Sequence, residues 1–287
     1  MYLNKKLEEQ IMAYLTLNFK STTQFKSTTA RIILPDGWLQ AGTEPLKTFY
    51  FFTGFSADST EMVTYLSFRR QAELKNMAVV LIDGENSFYQ DHPMRLRNYG
   101  SYVGQEIVDV TRKLFPLSTK REDTYVGGIS MGGFGALLIG LKYSGTFSKV
   151  AALSPAVNCY RIMDEYPDAG FNPIMLENIF GSREEFLASD NNLLAAYEKA
   201  DKDKMPDLLV CCGEQDRLVY PQGREFAEEL AAKGYRCRYI GGNGDHETDY
   251  WERMMDPMFS FLAGIPDGSR NDILQIMGTA QKIPGTE

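Results

Sequence analysis

A run of small residues, Gly128-Ile129-Ser130-Met131-Gly132, lies between an apolar segment beginning at Tyr125 and the helix-compatible run Ala136-Leu-Leu-Ile-Gly-Leu-Lys142. Few chain paths accommodate that order. It predicts a strand that turns directly into a helix, so sharply that Ser130 adopts a strained backbone and projects its hydroxyl outward. Glycine suits both flanks because such a turn brings neighbouring backbone too close for a Cβ. The turn also sets Ser130 at a helix N-terminus, where free N–H groups stabilise a developing oxyanion. G-x-S-x-G occurs in ordinary glycine-rich turns as well. The strand before and the helix after give this one its weight.

The same alternation runs through most of the chain. Residues 13–35 read as an antiparallel edge hairpin with a Ser/Thr-rich turn at 20–29. Asp36-Gly37 and Gly42-Thr-Glu-Pro45 are loop signals. Short apolar runs at 47–53, 77–82, 124–127, 150–153 and 207–212 read as buried strands, and 235–240 reads as a further strand. Helical patterns are predicted at 60–76, 101–115, 136–144, 223–233 (with Gly234 just past its end) and 248–262. The expected fold is α/β: a mostly parallel central sheet, helices on both faces and an antiparallel N-terminal edge. A single domain over residues 1–287 is expected, since no repeat or linker divides it. Residues 157–194 read as a cap-like insertion, and a polar tail begins at about 264.

The charge balance narrows the partners. With 38 acidic and 30 basic residues the net charge is −8, and no Lys/Arg block stands out. Nucleic acids and anionic membrane surfaces both demand a basic face, so neither is expected. No window approaches 18 apolar residues, and the first ten residues lack the apolar core of a signal peptide. Cys159, Cys211, Cys212 and Cys237 read as buried free thiols, which fits a reducing cytoplasm. With two His and no C-x-x-C, no metal site or cofactor is expected. Homo-oligomer formation is left open.

In parallel sheets of this kind ligands bind at the carboxyl ends of the strands. Three expected strand ends carry reactive groups: Ser130, Asp216 in Cys212-Gly-Glu-Gln-Asp216, and His246 in Gly242-Asn-Gly-Asp-His246. A serine hydroxyl is a weak nucleophile at neutral pH and needs a base within hydrogen-bond reach. Histidine is the best base near pH 7, and a buried acid must hold its tautomer. The order Ser, Asp, His is that of the α/β-hydrolases. His92, in a polar loop, is the one rival base; Glu214 and Asp245 are rival acids. The oxyanion donors are expected to be the backbone N–H groups of Met131 and Phe55, the latter in the loop Thr53-Gly54-Phe55-Ser56. Gly54 in an ordinary strand-to-helix turn is the bland alternative for that loop.

Together, Gly128-Ile-Ser-Met-Gly-Gly-Phe-Gly-Ala136, Cys212-Gly-Glu-Gln-Asp216 and Gly244-Asp-His-Glu-Thr-Asp-Tyr-Trp251 resemble the esterase D-like branch of the α/β-hydrolases. That branch includes tributyrin esterases, S-formylglutathione hydrolases, feruloyl and acetyl-xylan esterases and mycolyltransferases. The likeness is nearest to the bacterial tributyrin esterases, covers about residues 13–262, and extends to Tyr102-Val-Gly-Gln-Glu106. It implies a serine carboxylesterase acting through an acyl-enzyme on a small-molecule ester of a short acyl chain, acetylated sugars among the candidates, with Ser130, Asp216 and His246 as triad. An acyltransferase or thioesterase such as S-formylglutathione hydrolase shares every motif. A non-catalytic binding protein would have no need of all three residues. Two positions depart from the branch: Thr53 where many relatives have His, and Thr248 where an aromatic is common.

Overall fold

The computed structural model describes residues 12–36, 38 and 44–269. Expectations for the first ten residues, for Gly37 and Gly42 and for the tail beyond Ser269 fall outside them. The chain begins with β1 (Ala13–Lys20), β2 (Ser27–Leu34) and β3 (Lys47–Phe52), then α1 (Ser59–Tyr65), α2 (Phe68–Lys75) and β4 (Met77–Ile82). A two-stranded ribbon, β5 (Asp91–His92) and β6 (Arg97–Asn98), precedes the single turn α3 (Tyr99–Ser101). That turn runs through a π turn (Tyr102–Glu106) into α4 (Ile107–Leu114). The strand β7 (Thr124–Ile129), α5 (Met131–Lys142) and β8 (Lys149–Leu153) follow. Four short helices come next: α6 (Cys159–Glu165), α7 (Pro173–Phe180), α8 (Arg183–Ala188) and α9 (Leu193–Lys199). The described chain closes with β9 (Asp207–Cys211), α10 (Tyr220–Ala232), β10 (Cys237–Ile240) and α11 (Thr248–Ala263).

Eight strands form one sheet in the order β1-β2-β4-β3-β7-β8-β9-β10. The pairings β1–β2 and β2–β4 are antiparallel, and the rest are parallel. This is the predicted mostly parallel sheet with an antiparallel N-terminal edge. Alternation of side chains across the pleat divides β3 between two cores. Tyr50 and Phe52 join Val103, Ile107, Leu137 and Leu230 on one face. Phe49 and Phe51 join Met62, Phe68, Met255 and Phe259 on the other. Helices therefore cover both faces, and the C-terminal strand ends gather at one edge. Among the described residues no helix is long and apolar enough to cross a membrane.

Three local outcomes differ from expectation. The predicted helix at 60–76 breaks at Leu66, which is extended (φ −114°, ψ 143°). In an unbroken helix Leu66 and Phe68 would point about 200° apart; the break buries both in one core. Glu252 of α11 accepts the freed N–H of Ser67 at 2.8 Å. The helix predicted from Gly223 begins at Tyr220, because Pro221 suits a first turn that needs no N–H. The helix predicted at 101–115 carries a π turn. There Gly104 lets Tyr143 approach: a Cβ would stand 2.2 Å from its ring. The turn ends in Glu106, whose carboxylate accepts from the hydroxyls of Ser21, Thr22 and Thr23 and from two backbone N–H groups, tying the β1–β2 turn to this helix. Partial burial alone would raise the Glu106 carboxyl, but these donors outweigh it and hold it at about 2. Cys159, Cys211 and Cys212 are buried and Cys237 half-buried, all free thiols.

Candidate active site

Ser130 closes β7 and opens α5 with φ 56° and ψ −113°, a conformation L-residues rarely adopt. The turn is held on three sides. The Ser130 N–H donates to Leu153 O at 2.9 Å, and Ser130 O accepts from Phe134 N at 3.0 Å and from Ala156 N at 3.2 Å. Both flanking glycines are required by space. A Cβ on Gly128 would stand 2.5 Å from the Gly132 backbone, and one on Gly132 would stand 2.1 Å from Phe52 O. Because the obstruction is backbone, it does not rotate away. Gly132→Ala is expected to cost at least about 1–3 kcal/mol of stability, read by chemical denaturation; an unchanged midpoint would mean that the turn is looser than it looks.

The ends of β9 and β10, two and three strands along the sheet from β7, supply the other two groups. His246 Nδ1 and Asp216 Oδ2 are 2.8 Å apart, with Asp216 fully buried and the His246 side chain 23% exposed. Their loops are zipped together. A Cβ on Gly213 would lie 2.2 Å from Gly244 O. Glu214 N donates to Gly242 O at 2.8 Å, and Gln215 N to Gly244 O at 2.9 Å. The Gln215 side chain accepts from Gly244 N at 2.6 Å. Asp216 Oδ1 also accepts from Val219 N at 3.3 Å. The rival groups are placed differently. Glu214 is exposed. Asp245 accepts from the His246 backbone N–H at 2.7 Å and leaves the ring alone. His92 sits in the β5–β6 ribbon opposite Arg97. Burial first, and then the Arg95 guanidinium, hold its ring below the usual histidine range.

The loop after β3 reaches the same place. A Cβ on Gly54 would be 3.7 Å from Ser130 Cβ. Thr53 anchors this loop through three bonds: its N–H to Ile82 O at 3.3 Å, its hydroxyl from Gly84 N at 3.1 Å, and its carbonyl from the Tyr89 hydroxyl at 2.9 Å. Asn86 accepts the N–H of Ser56 at 2.7 Å, and Ala57 N bonds back to Gly54 O at 3.4 Å. The N–H groups of Phe55 and Met131 have no hydrogen-bond partner among the described residues. Met131 follows Ser130 directly and Phe55 follows Gly54, so these two N–H groups are the candidate oxyanion donors.

Residues 21–262 match the family model described as "Putative esterase". The chain belongs to that family. An acetyl esterase of Caldicellulosiruptor saccharolyticus is 34% identical over 270 residues, covering 89% of this chain and 100% of that protein. Among solved structures, the fluorophosphonate-binding serine hydrolase F of Staphylococcus aureus, substrate bound, is 29% identical with a TM-score of 0.79, covering 88% of this chain and 98% of its own. S-formylglutathione hydrolase of the same organism is 28% identical with a TM-score of 0.78, covering 88% and 99%. The esterase has the α/β-hydrolase fold and is a serine-type carboxylic ester hydrolase acting on a small-molecule ester.

Aromatic rings of the esterase bring residues 157–194 to the Phe55 loop. Phe171 lies 6.0 Å from Phe55 and 6.2 Å from Phe88 between ring centroids. Phe180 lies 5.1 Å from Phe88 and 5.7 Å from Phe134, which is one helical turn past Ser130. Among the described residues no group of three or more His, Cys, Asp and Glu is arranged to hold a metal ion. Several residues around His246 escaped sequence reasoning. Gln215 acts through a side-chain bond to Gly244 N that no pattern reveals. Ser154 (φ 43°) ends β8, and its hydroxyl accepts from Trp251 Nε1 at 3.2 Å. Ser154-Pro155 at a strand end and Trp251 in the histidine motif were the available signals.

Proposed function

We propose that the esterase hydrolyses short-chain acyl esters, acetylated sugars among them, through an acyl-enzyme on Ser130. The observation that carries the reading is the 2.8 Å pairing of His246 Nδ1 with the buried Asp216 carboxylate, two strand ends away from a serine held at φ 56°. Asp216 keeps the proton on Nδ1, so Nε2 accepts the Ser130 proton as Oγ attacks the ester carbonyl. The tetrahedral oxyanion rests on the N–H groups of Phe55 and Met131. The imidazolium then protonates the leaving alkoxide, leaving the acyl group on Ser130 Oγ. Water, deprotonated by His246, attacks that acyl carbonyl, and the carboxylic acid leaves as the proton returns to Ser130.

Residues 157–194 act as a cap, with Phe171 closing the acyl side over Phe55. Short acyl preference is supported by this aromatic wall and by the acetyl esterase relative. The test is a kcat/KM series of p-nitrophenyl esters from acetate to octanoate together with acetylated xylo-oligosaccharides, with Ser130→Ala as control. Acetate and butyrate should lead, and Phe171→Ala should raise the octanoate-to-acetate ratio by at least about tenfold. A profile peaking at octanoate in the unaltered enzyme would defeat the reading. The likeness to S-formylglutathione hydrolase supports a second reading, thioester hydrolysis at the same serine. S-formylglutathione in the same series separates the two by its kcat/KM.

A further inference from the structure

A single hydrogen bond to Asp216 fixes one atom of the His246 ring but not its plane. The ring remains free to pivot about the Nδ1 contact, and a pivot of that kind moves Nε2 away from Ser130. Against the imidazole stands Trp251, whose indole meets it at 5.2 Å between centroids and 87° between planes. Trp251 stands in the first turn of α11, its backbone N–H bonded to Glu247 O at 3.2 Å. Its indole N–H is not left to water: it donates to Ser154 Oγ at 3.2 Å.

Ser154 is itself immobilised. It is fully buried, its N–H donates to Cys211 O at 2.7 Å, and its φ of 43° is a conformation that costs an L-residue about 1–2 kcal/mol. The next residues return to Ser130 through the Ala156 N–H. On the far side of Asp216, the Cys212 thiol donates to Oδ2 at 3.8 Å. Burial, and then the Asp216 charge, push that thiol up against a smaller opposing effect of the Ser154 hydroxyl, so it stays a donor. Acid, base and their supports thus lie along one line of contacts: Cys212, Asp216, His246, Trp251 and Ser154.

We propose that Ser154 and Trp251 are positioning residues for His246, the serine hydroxyl holding the indole and the indole holding the plane of the imidazole. The inference rests on the reading of His246 as the base. The test is a double-mutant cycle of Ser154→Ala and Trp251→Phe, with His246→Ala beside it, measured as kcat and KM on p-nitrophenyl acetate. Each single variant is expected to lower kcat about tenfold with KM unchanged, since misplacement of a reacting group costs up to about a hundredfold. The double variant should be no slower than either single one, because both remove the same hydrogen bond. Thermal unfolding of each variant identifies one that fails to fold; Ser154→Ala, the smaller change, then decides alone through its split between kcat and KM. If His246→Ala retains activity, the base assignment falls and the proposal falls with it. If His246→Ala is inactive while both single variants keep the original kcat, or their losses multiply, the positioning role alone is overturned.

Discussion

Ser130→Ala is expected to abolish ester hydrolysis, lowering kcat by about 10⁴-fold or more. The loss should come without loss of the fold. Ser130 contributes its backbone to the turn, through bonds to Leu153, Phe134 and Ala156, and alanine keeps all three. The variant should also fail to react with a fluorophosphonate, which labels the nucleophile and not the binding pocket. Residual hydrolysis near the original rate, or labelling of the folded variant, would place the nucleophile elsewhere. The oxyanion donors remain in the variant, so a small acceleration over water is expected to survive.

Asp216→Asn is expected to cost a similar factor, about 10⁴-fold in kcat, by a different route. The carboxylate accepts a proton-bearing Nδ1 at 2.8 Å. An amide that turns its NH₂ toward Nδ1 reverses the tautomer, leaving Nε2 protonated and unable to accept from Ser130. The Cys212 thiol loses its charged acceptor at the same time. Glu214→Gln is the control, since Glu214 is exposed and only its backbone N–H takes part in the loop. Comparable damage from Glu214→Gln would show that the acid had been misassigned. The two substitutions are not expected to combine. A chain lacking Ser130 gains nothing from a correct tautomer, so the double variant should match Ser130→Ala.

The fold was largely legible because the sheet strands between 47 and 212 are short apolar runs and every crossover but the one between β8 and β9 carries a helical period. The break at Leu66 was not, since a helical period gives no hint that a distant Glu252 will take the N–H of Ser67. The π turn was hidden for the same reason: its cause is the ring of Tyr143, far along the chain. At the candidate site, Ser130, Asp216 and His246 stand out in the sequence because they follow strands. Their supports did not. Thr53 departs from the residue common in the resembling branch, and the structure gives it a job built from its hydroxyl and its peptide carbonyl, which fasten the loop to Gly84 and Tyr89. Ser154 and Trp251 were visible as letters, but only the meeting of β8 with α11 makes them partners. Residues chosen for their reactivity can be read from type and order. Residues chosen to hold others still need the third dimension.

The two halves of the site are made at different times. The contacts that hold the turn at Ser130 come from β3, β7, α5, β8 and Ala156, all synthesised by residue 156. Asp216 and His246 arrive later, and α11, which seats Trp251 and buries Met255 and Phe259 against the first strands, arrives last. His246 follows Ser130 by more than a hundred residues, on the order of ten seconds of translation. During that interval a growing chain carries the serine on its turn without a base to activate it. With Ser130 and His246 in the proposed roles, the enzyme is expected to stay silent on the ribosome and to become competent only when α11 docks against the sheet.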